Sequence, residues 1–136
     1  REDREALVAG LLDSTIDMIA TDHAPHSAEE KARGLEKSAF GVVGLETAFP
    51  VLYTRLVLPG IVPLERIIHV LTEAPRARFG IPMGQDCTVW DLNETYVIDP
   101  VDFLSRGKAS PFTGWQVTGK CKATCHNGKL VYADGK

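Results

Sequence analysis

The spacing of apolar residues changes part-way along the chain. Behind an acidic first turn, Leu7, Leu11 and Leu12 recur at helical intervals, which predicts a helix over Glu2 to Leu12. The next apolar run, Met18-Ile19-Ala20, is short and continuous, so Asp17 to Thr21 is predicted as a strand buried on both faces, as in parallel sheets. Ser27 to Ala39 is polar and reads as a long surface loop. Gly41 and Gly44 then bracket Val42-Val43, and a helix is predicted from Leu45 with Leu45, Phe49, Leu52 and Leu56 on its apolar face. Pro50 lies near its first turn, where a missing N–H does least harm. Pro63 opens another helix, predicted to bury Leu64, Ile67, Ile68 and Leu71, and Pro75 begins a short turn that ends at Gly80.

From Cys87 onward the period is two. Thr88 to Leu92, Thr95 to Ile98, Trp115 to Val117 and Lys129 to Tyr132 read as short strands, with Cys121 to Cys125 a further one. Asn127-Gly128 is a strong hairpin signal. An α/β part, residues 1–80, is therefore expected before an all-β part, residues 81–136. The first part holds a single convincing strand, and one strand cannot make a parallel sheet. The chain is expected to be part of a larger barrel or sheet.

Composition narrows the function classes. A chain of 136 residues, 44% hydrophobic and 24% charged, has the size and balance of one globular domain. A net charge of −3 leaves no basic footprint for nucleic acid. No apolar run approaches the roughly 20 residues of a membrane helix, and no signal peptide is visible, so a cytoplasmic protein with no membrane partner is expected. Cys87, Cys121 and Cys125 form no C-x-x-C pair. Across four strand residues Cys121 and Cys125 would stand about 13 Å apart, beyond disulfide reach. Buried free thiols in a reducing compartment are the reading, in preference to a metal site built on Cys125 and His126.

The candidate chemistry lies in Ala20-Thr21-Asp22-His23-Ala24-Pro25-His26, where the predicted strand runs out. Reactive groups of parallel α/β folds gather at the carboxyl ends of strands. A carboxylate there, Asp22, can bind a metal and exchange a proton with metal-bound water. Taken alone, Asp22 fits a turn cap equally well. A lone His26 is more often a surface imidazole than a ligand, and His23 reads as structural. His69, between Ile68 and Val70, reads as a packing or surface residue.

Taken together, these residues resemble a known signature. Ala20 to His26, followed by four residues and Lys31, resembles the second signature of dihydroorotases, in particular the type I branch. Phe40 to Thr47 (FGVVGLET) is similar to the family's glycine-rich loop and helix start. Ser110 to Trp115 (SPFTGW) and Asn127 to Tyr132 (NGKLVY) are similar to its C-terminal segments. The likeness runs from Arg1 to about Tyr132. It departs at Gln85-Asp86-Cys87 and Cys121, where small or apolar residues are usual, and neither place bears on catalysis.

The resemblance implies an α/β fold, the C-terminal part of an amidohydrolase TIM barrel, followed by part of a small β-sandwich. Residues 1–80 would supply the eighth barrel strand and outer helices, and residues 81–136 the C-terminal share of the sandwich. It implies zinc-dependent, reversible cyclisation of N-carbamoyl-L-aspartate to L-dihydroorotate in pyrimidine synthesis. Asp22 would be both a zinc ligand and the proton shuttle. His26 would bind the substrate carboxylate, and the Phe40-Gly41 main chain would hydrogen-bond the substrate ring. One or two zinc ions are implied, with most ligands upstream: an H-x-H pair, a bridging carboxylate or carboxylated lysine, and two histidines. One ligand does not hold zinc, so the chain alone is expected to be inactive. A homodimer or a complex with aspartate carbamoyltransferase is the implied assembly.

Two other readings are distinguishable. A hydantoinase or allantoinase shares the barrel and metal chemistry, but hydantoin has no carboxylate for His26 to pair with, which favours dihydroorotase. A non-catalytic partner of aspartate carbamoyltransferase would have lost its metal ligands, whereas Asp22 and His26 are both present.

Overall fold

The computed structural model describes residues 1–135. Helix α1 (Glu2–Leu12) matches its predicted bounds and carries Glu2, Asp3 and Glu5 in its first turn. Its C-terminal end is closed by a distant cation. Arg66 donates from Nε to the Leu11 carbonyl at 2.6 Å and from Nη2 to the Ile16 carbonyl at 2.9 Å. A guanidinium there satisfies a carbonyl left free by the helix and opposes the negative end of its dipole.

The predicted strand at Asp17 to Thr21 is not formed. A strand needs a ladder, and among the described residues this segment has none; its backbone link is Ile19 N–H to the Val70 carbonyl at 3.0 Å. Met18 and Ile19 are half-buried and Ala20 is exposed, so burial on both faces is also not found. The segment instead leads to an isolated parallel bridge between His23 and Val42. The loop expected over Ser27 to Ala39 contains one helical turn, α2 (Ala28–Lys31). Ser27 and Glu30 form a reciprocal capping box, the S-x-x-E signature in plain sight in the sequence.

Helix α3 (Ala48–Leu52) begins three residues later than predicted and passes into a π-helical turn at Tyr53–Val57. Phe49 and Tyr53 are buried, whereas Leu45 is 62% exposed. Helix α4 (Leu64–Leu71) follows Pro63 as expected, but buries Ile67 and Val70 completely while Ile68 is 44% exposed. Helix α5 (Glu73–Phe79) accommodates Pro75 in its first turn and ends at Gly80 in the left-handed conformation.

The all-β part is one antiparallel sheet in the order β1 (Cys87–Val97), β2 (Gln116–His126), β3 (Lys129–Ala133). Its strands are longer than predicted because one irregularity was read as two breaks. Between the pairs Asp91–Lys120 and Thr95–Thr118 the register shifts, and three residues of β1 face Gly119 alone. The Asp91 carboxylate holds this bulge by accepting from the N–H groups of Asn93 and Glu94 at 2.9 and 3.2 Å. Gly119 has φ +99° and no side chain; a Cβ there would stand 3.2 Å from the Tyr53 ring and 3.4 Å from the Phe49 ring. That gap lets α3 dock on the sheet. The contact is completed by Phe49 against Trp90, with ring centroids 4.3 Å apart, and by Thr54 Oγ1, which accepts from Thr118 N–H at 2.8 Å. Asn127 and Gly128 both have positive φ, as the tight β2–β3 turn requires.

The cysteines are free but not buried: Cys87 is exposed, and Cys121 and Cys125 are half-buried. Cys87 and Cys125 stand directly opposite each other across β1 and β2. Directly opposed strand residues lie about 4.5–5.5 Å apart at Cα, within disulfide range. Partial burial and the adjacent Cys87 thiol push the Cys125 thiol up. Attack of Cys87 on added oxidised glutathione, followed by displacement by Cys125, should give one intramolecular disulfide and two reduced glutathiones. In the full-length protein peptide mapping should then find Cys87 joined to Cys125 and Cys121 free, and a Cys121–Cys125 or Cys87–Cys121 bridge would contradict the register.

Candidate functional site

Three segments meet where the sequence placed its chemistry. The first is the motif itself, residues 21–26. Asp22 is exposed and has φ 47°, a left-handed conformation that Asp adopts more readily than most residues. The main chain therefore turns at Asp22, and the following residues run beside the second segment, 40–45. There His23 bridges Val42, and Ala24 donates its N–H to the Val42 carbonyl at 2.9 Å. The third segment, 103–109, closes from the sheet side: Val43 N–H donates to the Ala109 carbonyl at 2.9 Å.

Glycines set how closely these backbones approach. Gly41 has φ +115°, and a Cβ there would overlap the Ala24 side chain and lie 3.5 Å from His26 Cδ2. A Cβ on Gly44 would stand 2.8 Å from the Thr21 carbonyl oxygen, and one on Gly107 would stand 2.7 Å from Pro25 Cα. No side chain fits at any of these contacts.

The sequence-predicted residues fall as follows. His26 and Gly41 are brought together, and Phe40 beside them is 92% exposed. His26 is partly exposed, with Nδ1 3.6 Å from Glu30 Oε2. Asp22 immediately precedes the residue that bridges the glycine segment. His69 is on the surface, with Nδ1 3.0 Å from Glu73 Oε2, and His126 pairs with Asp86 at 3.1 Å. Among the described residues no three His, Cys, Asp or Glu side chains converge to hold a metal ion. Asp22 offers one exposed carboxylate. That donor suits a hard or borderline cation but does not complete a coordination shell.

Other residues shape the site: Lys31 and Glu46 were assigned no role from sequence, and His23 was read as structural. Lys31 reaches back from α2 and donates to the carbonyls of Ala39 at 2.8 Å and Gly41 at 2.9 Å. Glu46 accepts from the N–H groups of Leu104 and Ser105 at 2.7 and 3.1 Å and from the Ser105 hydroxyl at 2.5 Å, which ties segment 103–109 to the start of α3. His23 Nδ1 accepts from Gly44 N–H at 3.1 Å and, more weakly, from Leu45 N–H at 3.4 Å. Lys31 and Glu46 both lie in the stretches that carry the family resemblance, which was the available signal, but it does not name a partner.

No protein-family model matches the chain. Its closely similar curated relatives are consistent: a protein of Bacillus cytotoxicus named dihydroorotase is 53% identical over 139 residues, covering 97% of this chain. One of Bacillus cereus with the same name is 52% identical over the same length. Its sequence relatives are dihydroorotases. The chain spans about a third, 32%, of the length of these dihydroorotases. Among solved structures, the L-hydantoinase (dihydropyrimidinase) of Arthrobacter aurescens superposes with a TM-score of 0.84 at 32% identity, over 96% of this chain and 32% of that one. An inactive dihydroorotase-like domain of a Chaetomium thermophilum multifunctional protein superposes at 0.73 with 21% identity, over 98% and 37%, a likeness of fold. The architecture is an α/β arrangement like that of the L-hydantoinase, and the two dihydroorotases, at 53% and 52% identity, are more similar to the chain in sequence than that hydantoinase is at 32%.

Proposed function

We propose that this chain forms part of a dihydroorotase, an enzyme that interconverts N-carbamoyl-L-aspartate and L-dihydroorotate, and that it carries one edge of the active site. In this reading residues 1–80 supply the eighth strand and outer helices of a TIM barrel, and residues 81–136 the C-terminal share of a β-sandwich. The segment at Asp17 to Thr21 becomes a strand once neighbouring strands offer it a ladder. The observation that carries the reading is 53% identity to a dihydroorotase over 97% of the chain, and the close packing of Gly41 on Ala24 and His26, just after Asp22, supports it.

The chemistry follows from the donors. Asp22 would hold zinc through its exposed carboxylate and take or return the proton that moves between the attacking water and the ring nitrogen. Zinc, when bound, supplies the Lewis acidity that cleavage of an unactivated amide needs. His26 would pair with the substrate carboxylate at the mouth of the site. The main chain at Phe40-Gly41 would hydrogen-bond the planar ring, since a bare glycine lets a ligand approach closely. The remaining ligands would come from outside this chain. A cytoplasmic location and a homodimer or aspartate carbamoyltransferase assembly belong to the same reading; among the described residues no helix is long and apolar enough to cross a membrane.

The test is turnover of dihydroorotate by the full-length protein, measured beside unsubstituted hydantoin. Dihydroorotate should be the preferred substrate, and preference for hydantoin would overturn the assignment. In the same protein His26→Ala should raise KM for dihydroorotate about 10- to 100-fold, the scale of one charge-assisted hydrogen bond. Zinc content by elemental analysis should stay at the wild-type level. Loss of zinc would make His26 a ligand instead of an anion-binding group.

A further inference from the structure

We infer that His23 is a positioning residue, which fixes the substrate-facing glycine segment against the strand end that carries Asp22. The inference rests on the dihydroorotase reading for the meaning of that segment, and on geometry for the rest. Residues 40–45 are held on both flanks of Phe40-Gly41. On one side Lys31 takes the carbonyls of Ala39 and Gly41. On the other, Ala24 N–H takes the Val42 carbonyl, and the His23 ring receives the N–H groups of Gly44 and Leu45. His23 directly follows Asp22 in the chain, so its ring ties the residue beside the acid to the far end of the segment through hydrogen bonds.

The direction of these bonds fixes the role of Nδ1. Two backbone N–H groups point at Nδ1, so that nitrogen serves as the acceptor of the ring. A protonated or inverted imidazole would set a donor against two donors. Gly44 also leaves little slack: a Cβ there would stand 2.8 Å from the Thr21 carbonyl oxygen, and its carbonyl accepts the N–H of Ala48 at 3.0 Å to begin α3. Without the His23 acceptor, two N–H groups at the start of α3 lose their partner and the segment can drift from the Asp22 turn. The substrate ring would then be held less well, while the carboxylate of Asp22 stays in place. The expected signature is a loss in KM with kcat largely retained.

Three variants of the full-length protein separate an acceptor at Nδ1 from mere bulk. Asparagine places its carbonyl oxygen at the same distance along the side chain as Nδ1, whereas glutamine places its amide nearer the position of Nε2. His23→Ala and His23→Gln should raise KM for dihydroorotate about tenfold, the scale of one or two lost hydrogen bonds, and His23→Asn should restore most of it. Amide hydrogen exchange at Gly44 and Leu45 should quicken in the first two variants and return towards wild type in the third. Unchanged KM and exchange in His23→Ala would overturn the inference. So would a His23→Asn protein that behaves like His23→Ala or fails to fold, because the acceptor is retained there. If the wild-type protein does not turn over dihydroorotate, the functional reading fails, while the exchange pattern still decides whether His23 fixes the segment.

Discussion

Replacing Asp22 by asparagine in the full-length protein should lower dihydroorotate turnover by about 10²- to 10⁴-fold, the usual weight of a positioned acid–base group. Fold and melting temperature should stay close to wild type. The two halves of that expectation have separate causes. An amide cannot accept the proton that a carboxylate takes, and it is a poorer partner for a cation. The backbone, however, is indifferent to the change. Asp22 has φ 47°, and asparagine shares with aspartate the capacity to occupy this left-handed region. Alanine at the same position would mix lost chemistry with backbone strain, so Asp22→Asn is the informative substitution. Steady-state rates, a thermal melt and zinc content on one preparation decide it. Turnover within a few-fold of wild type would remove Asp22 from the reaction, and a collapsed melt would make it a structural turn residue.

The sequence showed the elements whose cause is local and missed those fixed by distant partners. Helices α1 and α4 were legible from their periodicity and from acids or proline at their starts. The β2–β3 turn was legible because Asn127-Gly128 is chemically suited to positive φ at both residues. The face of α4 was misjudged, with Val70 buried in place of Ile68, because the buried side is set by what packs on it. The bulge at Asp91 to Thr95 looked like a break between strands, since the polar pair Asn93-Glu94 interrupts the alternation opposite a glycine and has the composition of a turn. The proposed site residues, Asp22, His26 and Phe40-Gly41, could be named from the sequence because they lie in the stretches that resemble the family's, and their roles belong to the proposal. Its scaffolding was not. Lys31, Glu46 and the Nδ1 of His23 act on backbone groups, and a carbonyl or an N–H leaves no mark in a sequence.

Produced by itself, the 136-residue chain should associate or fold incompletely, and it should bind zinc weakly. The sheet ends in two edges, β1 and β3, and β1 also exposes Val89 and Val97. Such edges are templates for pairing with another chain. Helix α1 leaves Leu7 and Leu12 at 59% and 50% exposure, and the half-buried Met18 and Ile19 sit in a segment that has no ladder among the described residues. Apolar groups left uncovered in this way favour self-association over a soluble monomer. The metal half of the expectation is simpler: Asp22 is one donor, and a tightly held zinc needs about four. Size-exclusion chromatography with light scattering, a thermal melt, and zinc titration would check both. Oligomers or aggregates with a broad melt are the expected result, and adding the remainder of the barrel in trans should narrow the distribution. A monodisperse monomer that melts cooperatively would show that these surfaces need no cover, and would remove the physical ground for placing the chain inside a larger barrel.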